Sequence, residues 1–121
     1  LHTAYRRQRQ MCIRDRADLV LVAPCSADTL AKLCHGICDN VLTSFMRALS
    51  PSTPVWIFPA MNTLMYMHPL TVAQIKTIES FGYKVYGPIS KRLACGDVGQ
   101  GAMLEWTDIV QMIASAYALG A

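Results

Sequence analysis

Charged residues make up only 16% of this 121-residue sequence and aromatic residues 8%, while 53% is hydrophobic. That balance excludes a disordered, solvent-swollen chain and gives enough apolar material for one compact domain. Long apolar runs are missing too. Asp18, Asp28 and Lys32 interrupt the most hydrophobic stretch before it reaches the roughly 18 to 20 residues a bilayer span requires, so a soluble protein is expected. Strong positive charge is lacking: the net charge is +3, and the basic excess sits near the start, in Arg6, Arg7, Arg9, Arg14 and Arg16. A nucleic-acid reader carries its charge on a folded face with aromatic residues interleaved, and the near-neutral chain beyond Asp18 shows none. The five cysteines are an odd number. With no signal peptide in view, they read as free thiols in a reducing, cytoplasmic compartment rather than as a disulfide scaffold. Zinc spacing is absent as well, because Cys34, His35 and Cys38 crowd one short segment instead of forming two ligand pairs. Neither repeats nor low-complexity linkers occur.

What is present alternates between two periods. Leu19 to Pro24 is short, branched and apolar on both faces, the pattern of a central strand in a parallel sheet. Ser26 and Asp28 offer N-cap oxygens to a helix marked by Leu30, Leu33, Cys34 and Ile37, which Gly36 and Asp39-Asn40 close. A second helix is expected from Val41 to Leu49. The turn Ser50-Pro51-Ser52-Thr53-Pro54 leads into a strand, Val55 to Phe58, that ends at Pro59. A loop is expected from Ala60 to His68. Pro69 then opens a helix through Leu70, Ala73, Ile75, Ile78 and Phe81 that stops at Gly82. Tyr83 to Tyr86 reads as a third strand. The segment from Gly87 to Met103 holds four glycines without a sustained period and reads as one long loop, before Thr107 or Asp108 caps a helix through Leu119. Alternating strands and helices imply a three-layer α/β fold, Rossmann-like or flavodoxin-like, with a parallel sheet and right-handed crossovers. Ligands bind such sheets at the carboxyl ends of the strands. Ala23 to Ser26, Pro59 to Asn62 and the glycine-rich loop are therefore expected to line one crevice.

Several crevice residues have a functional and a plain reading. Ser26, Ala27 and Thr29 sit where a strand feeds a helix, and can meet a phosphate there or simply cap the helix. Asn62 is either a neutral amide donor or a common turn residue. Cys95, between Ala94 and Gly96, suits a reactive thiol, whereas Cys25, Cys34 and Cys38 lie in or beside apolar elements as buried cysteines do. Met61, Met65, Met67 and Met103 could line a ligand pocket or fill gaps in the core. His68, ahead of Pro69, reads as structural.

Three stretches carry a family resemblance. Ala23-Pro24-Cys25-Ser26-Ala27-Asp28-Thr29 resembles a Pro-x-Ser-Ala-Asn-Thr segment, and Gly36-Ile37-Cys38-Asp39-Asn40 the turn after its helix. Pro59-Ala60-Met61-Asn62-Thr63-Leu64-Met65-Tyr66 resembles a Pro-x-Met-Asn-x-x-Met-Trp motif. Leu93-Ala94-Cys95-Gly96-Asp97, continuing to Gly101-Ala102-Met103, resembles a substrate-recognition clamp. Together, in this order and spacing, they resemble the flavin-dependent cysteine decarboxylases, in particular the phosphopantothenoylcysteine decarboxylase branch. The similarity runs from Ala17 to the C-terminus. The family's first strand and turn have no counterpart, so the chain is expected to be an N-terminally truncated flavoprotein domain over residues 17–121, with the first βα unit missing. Leu1-His2-Thr3-Ala4-Tyr5-Arg6-Arg7 resembles the family's segment bearing the active-site histidine. Residues 8 to 16 then intervene where the family has almost none, which makes 1–16 an irregular, non-native-looking leader.

The resemblance implies FMN-dependent decarboxylation of 4'-phosphopantothenoylcysteine to 4'-phosphopantetheine, on the route to coenzyme A, by a homotrimer whose apolar face includes the helix from Val41. Loss of carbon dioxide from a cysteine α-carbon needs an electron sink, the role implied for FMN. Cys95 is then the implied proton donor and His2 the base. Asn62, Arg92, Ala94 and Met103 would hold substrate, and Ser26, Ala27, Asp28, Thr29 and Ala60 the cofactor. Asp28 departs from the family's Asn, replacing an amide donor with a carboxylate that a phosphate would resist. No metal, nucleic acid or membrane is implied. Two other functions share the fold: a regulatory relative that binds a protein phosphatase without activity, and a decarboxylase of peptide C-terminal cysteines. Asn62 and the Ala94-Cys95-Gly96 clamp favour the small pantothenoyl substrate.

Overall fold

A computed structural model describes residues 16–92 and 98–117. Strands β1 (Val20–Cys25), β2 (Val55–Pro59) and β3 (Lys84–Val85) form a parallel sheet in the order β1-β2-β3. Helices α1 (Ala27–His35) and α2 (Val41–Arg47) connect β1 to β2; α3 (Thr63–Met67) and α4 (Pro69–Ser80) connect β2 to β3. An antiparallel hairpin, β4 (Ile89–Arg92) and β5 (Val98–Ala102), and the last helix α5 (Trp106–Ala116) follow.

Strand alternation separates two cores. Val22, Val55 and Ile57 pack with Leu30, Met46 and Ile78 on one face, while Trp56 and Phe58 point to the other and meet Ile109, Met112 and Ile113 of α5. The sheet is thus the middle of three layers, as expected for a doubly covered parallel sheet. Tyr86 seals the α5 side, its ring stacked on Phe58 at a centroid distance of 5.7 Å and edge-on to Trp56 at 5.5 Å. Every residue of β2 is buried, and burial of a side chain such as Phe58 or Ile57 contributes roughly 1.5–3 kcal/mol.

The helix ends follow from their capping chemistry. Ser26 Oγ accepts from Thr29 N at 3.2 Å to open α1, and Gly36, at φ 72°, closes it in the left-handed conformation. Asn40 opens α2 through a reciprocal capping box, with Thr43 N donating to Asn40 Oδ1 at 2.8 Å and Asn40 N to Thr43 Oγ1 at 3.2 Å. His68 caps α4, accepting from Leu70 N at 3.1 Å, and Pro69 takes the first turn, where its missing N–H costs nothing. The structural reading of His68 agrees with this.

In the described sheet β2 has a neighbour on each side, and Pro24 of β1 sits at a register irregularity. The structure departs from the sequence reading at three places. The expected loop from Ala60 to His68 contains α3, started by the side chain of Asn62. The expected long loop from Gly87 to Met103 contains the β4-β5 hairpin, which backbone pairing builds with no apolar alternation to announce it. Finally, α5 starts at Trp106 with Glu105 in the N-cap position, two to three residues before the expected caps, and is described as far as Ala116. No helix among the described residues is long and apolar enough to cross a membrane.

Candidate active site

The carboxyl ends of β1 and β2 are stitched together by main-chain hydrogen bonds. Ala60 N donates to Cys25 O at 3.0 Å, which joins the segment after β2 to the end of β1. Met61 N donates to Gly101 O at 2.8 Å and so joins the same segment to β5. Ser26 follows Cys25 directly and Asn62 follows Met61, so the α1 start, the Asn62 turn and β5 lie side by side at the carboxyl edge, the ligand-binding edge of such sheets.

At the α1 start the hydroxyls of Ser26 and Thr29 meet at 3.1 Å and Leu30 N bonds to Ser26 O at 2.9 Å. The amides of Ala27 and Asp28 begin the helix, where N–H groups have no intrahelical partner and suit a phosphate. Asp28 turns its carboxylate to Lys32, 3.2 Å away, and Lys32 also reaches Asp39 at 3.1 Å. Hydrogen bonds donated to Asp39 first and Asp28 second hold the lysine pKa above its ordinary value. The negative charge that replaces the expected amide at this helix start is therefore offset in part by a cation on the next turn, which Asp28 shares with Asp39.

Asn62 uses its two amide ends differently. Its Oδ1 accepts from Met65 N at 2.9 Å to cap α3, so the group left to meet a ligand is the Nδ2 donor. Ala60 is half-buried beside it. Met61 packs against the Val22–Ile57 core and Met103 against the Trp56–Phe58 core, as gap-filling methionines do, whereas Met65 and Met67 are exposed.

Of the remaining site candidates, Arg92 is placed by its backbone, paired with Val98 in the hairpin. Cys95, Ala94 and His2 lie outside the described residues. The three described cysteines divide sharply. Cys25 is fully buried, and burial, followed by the nearby Cys34, pushes its thiol up to about 12. Burial also raises Cys34, whose Sγ donates to Gln74 O at 3.1 Å. Cys38 was expected to be buried like them but is exposed, because it follows the Gly36 cap and has left the helix. Among the described residues no cluster of three or more His, Cys, Asp or Glu could hold a metal. Sequence reasoning missed Met61 and Gly101 as the backbone link between turn and hairpin; the available signal was the pair of glycines, Gly99 and Gly101, in a segment that is in fact a strand.

The flavoprotein family profile matches residues 3–118. The phosphopantothenoylcysteine decarboxylase of Oryza sativa subsp. japonica is 50% identical over 93 residues, which cover 77% of this chain and 42% of that protein. A cysteine-to-serine mutant of PPC decarboxylase complexed with pantothenoylaminoethenethiol superposes with a TM-score of 0.83 at 39% identity, covering 90% of this chain and 60% of that one. The FMN-binding protein AtHal3 gives 0.81 and 40%, covering 93% and 60%. The chain thus spans less than half the length of the rice relative and about three-fifths of each solved chain.

Proposed function

The chain belongs to the flavoprotein family, and from that premise we propose that its protein is an FMN-dependent decarboxylase converting 4'-phosphopantothenoylcysteine to 4'-phosphopantetheine in coenzyme A synthesis. The observation that carries the proposal is the pair of main-chain hydrogen bonds, Ala60 to Cys25 and Met61 to Gly101, which gathers the three motif-bearing segments around one crevice. Relatives of this chain include a rice decarboxylase of that substrate and a PPC decarboxylase bound to an aminoethenethiol, which supports the same reading.

The residues present fit a flavin phosphate. The α1 start offers unpaired N–H groups and two hydroxyls, and Lys32 offsets Asp28. Ser26, Ala27, Asp28, Thr29 and Ala60 would hold FMN, which supplies the transient electron sink that decarboxylation at a cysteine α-carbon requires. Asn62 presents a neutral donor, Nδ2, that can orient the substrate carboxylate without a charge to retain it. Cys95 is assigned the proton returned to the product carbon, His2 the base, and Arg92, Ala94 and Met103 the cover over the substrate. The protein is further proposed to be cytoplasmic and homotrimeric, with the exposed Val41 and Leu42 of α2 in the self-association face.

The test uses the full-length protein. It should purify with a flavin absorption band, release carbon dioxide from 4'-phosphopantothenoylcysteine and sediment as a trimer. A flavin-free protein that leaves the substrate unchanged would overturn the proposal.

A further inference from the structure

Asp28 is the one cofactor candidate whose charge opposes the group it would hold. A carboxylate in the first turn of a helix is drawn to the unpaired N–H groups there, the same groups that suit a phosphate, so it competes with a bound anion. In α1 the carboxylate turns the other way. Asp28 Oδ2 lies 3.2 Å from Lys32 Nζ, one turn toward the helix C-terminus, while the hydroxyls of Ser26 and Thr29 at the start engage each other at 3.1 Å. Lys32 is divided, because its Nζ also lies 3.1 Å from Asp39 Oδ2, beyond the Gly36 cap. Among the described residues it is the only cation in contact with either carboxylate. Two carboxylates thus share one ammonium, and the trio keeps one net negative charge. The Lys32 side chain is 20% exposed against 75% for Asp28, so the lysine is the anchored partner and the carboxylate the one it holds.

We propose that Lys32 is a positioning residue for the flavin phosphate: its ammonium holds the Asp28 carboxylate one turn along α1 and so leaves the amides of Ala27 and Asp28 to the phosphate dianion. This rests on the functional reading above, and Lys32 acts through Asp28 rather than on the phosphate itself. Without the ammonium, the exposed carboxylate relaxes toward the helix start, to which the macrodipole attracts it. A unit charge that water screens, placed roughly 8 Å from a doubly charged phosphate, raises the dissociation constant of that phosphate about fivefold. Riboflavin has the same ring system without the phosphate, and an asparagine at position 28 has no charge to place. Neither should respond to Lys32.

The test titrates FMN and riboflavin, followed by flavin fluorescence, into the full-length protein freed of flavin. Lys32→Met keeps the apolar stem and removes the ammonium. It should weaken FMN about fivefold and leave riboflavin unchanged, and in an Asp28→Asn background the same substitution should change FMN by less than about twofold. Lys32→Arg, which keeps the charge, should bind FMN as the wild type does. Unchanged FMN binding in Lys32→Met, an equal loss for FMN and riboflavin, or an undiminished loss beside Asp28→Asn overturns the proposal; the last would mean that Lys32 acts by its own charge. If Lys32→Met does not fold, Asp39→Asn decides, since it leaves the ammonium wholly to Asp28. FMN should then bind about twofold tighter, and equal or weaker binding overturns the proposal. A wild type that binds no FMN would sink the functional reading and this inference with it, whereas a wild type that binds FMN no better than Lys32→Met sinks the inference alone.

Discussion

Replacing Asn62 by Asp should separate the folding role of this side chain from its role toward substrate. In the structure Oδ1 accepts the Met65 amide at 2.9 Å, and a carboxylate oxygen can accept the same bond. Asn and Asp rank alike as N-caps, so Asn62→Asp should leave stability within a few tenths of a kcal/mol, whereas Asn62→Ala forfeits the cap at about 1 kcal/mol. For a domain of this size that loss is a fall of roughly 5 °C in Tm. Toward substrate the order reverses. Asn62→Asp converts the Nδ2 donor into an anion facing the substrate carboxylate, and two unit charges about 4 Å apart near a protein surface repel by up to about 4 kcal/mol. That corresponds to roughly a thousandfold in kcat/KM, against a smaller loss for Asn62→Ala, which removes a donor without adding a charge. Thermal melts and carbon dioxide release, measured on the full-length wild type and both variants, test the crossing. Turnover by Asn62→Asp within tenfold of wild type, or a melt as low as that of Asn62→Ala, would refute the assignment of the two amide ends.

Cys95→Ser should release carbon dioxide once and accumulate an oxidised enethiol product, because a serine hydroxyl is far too weak an acid to return the proton; mass spectrometry showing multiple turnovers to 4'-phosphopantetheine would contradict this. Iodoacetamide mapping of the native protein at pH 8 should label Cys38 and spare Cys25, which is fully buried with its thiol pushed up to about 12. The same shift fixes the sign of an alkaline effect. Burial holds the folded thiol above its ordinary value of 9.0, so its stabilising contribution is complete below pH 9 and is lost as pH climbs toward 12. Denaturant midpoints should therefore begin to fall above pH 9, and Cys25→Ala should flatten that limb. Phe58→Ala, which empties a fully buried site under Tyr86, should cost about 3–5 kcal/mol by urea unfolding.

The parts of the fold that bury side chains were legible in the sequence, since hydrophobic period and capping residues report on burial and on helix ends. Leu19 to Pro24, Val55 to Phe58 and the helix opened by Pro69 are found nearly where their patterns place them. Main-chain recognition leaves no such trace. The β4-β5 hairpin pairs through Ser90, Lys91, Gly99 and Gln100, which carry no apolar alternation, and the short α3 is nucleated by the Asn62 cap rather than by a stripe. At the site, the caps Ser26 and Asn62 were readable from residue type, but the pairing of Asp28 with Lys32 required the helix geometry that brings residues four apart together.

The bonds that close the crevice run from amide to carbonyl, Ala60 to Cys25 and Met61 to Gly101, and none of these four residues contributes a side-chain atom to them. Shape and chemistry at this edge are consequently separable variables for an engineer. The side chain at position 60 can be changed while both hydrogen bonds persist, because they belong to the peptide and not to the residue. The exception is position 101, where the contact itself forbids a Cβ. A library randomised at 60 with 101 held as glycine should therefore keep its fold across most substitutions and, on the proposed role of Ala60, vary chiefly in flavin binding.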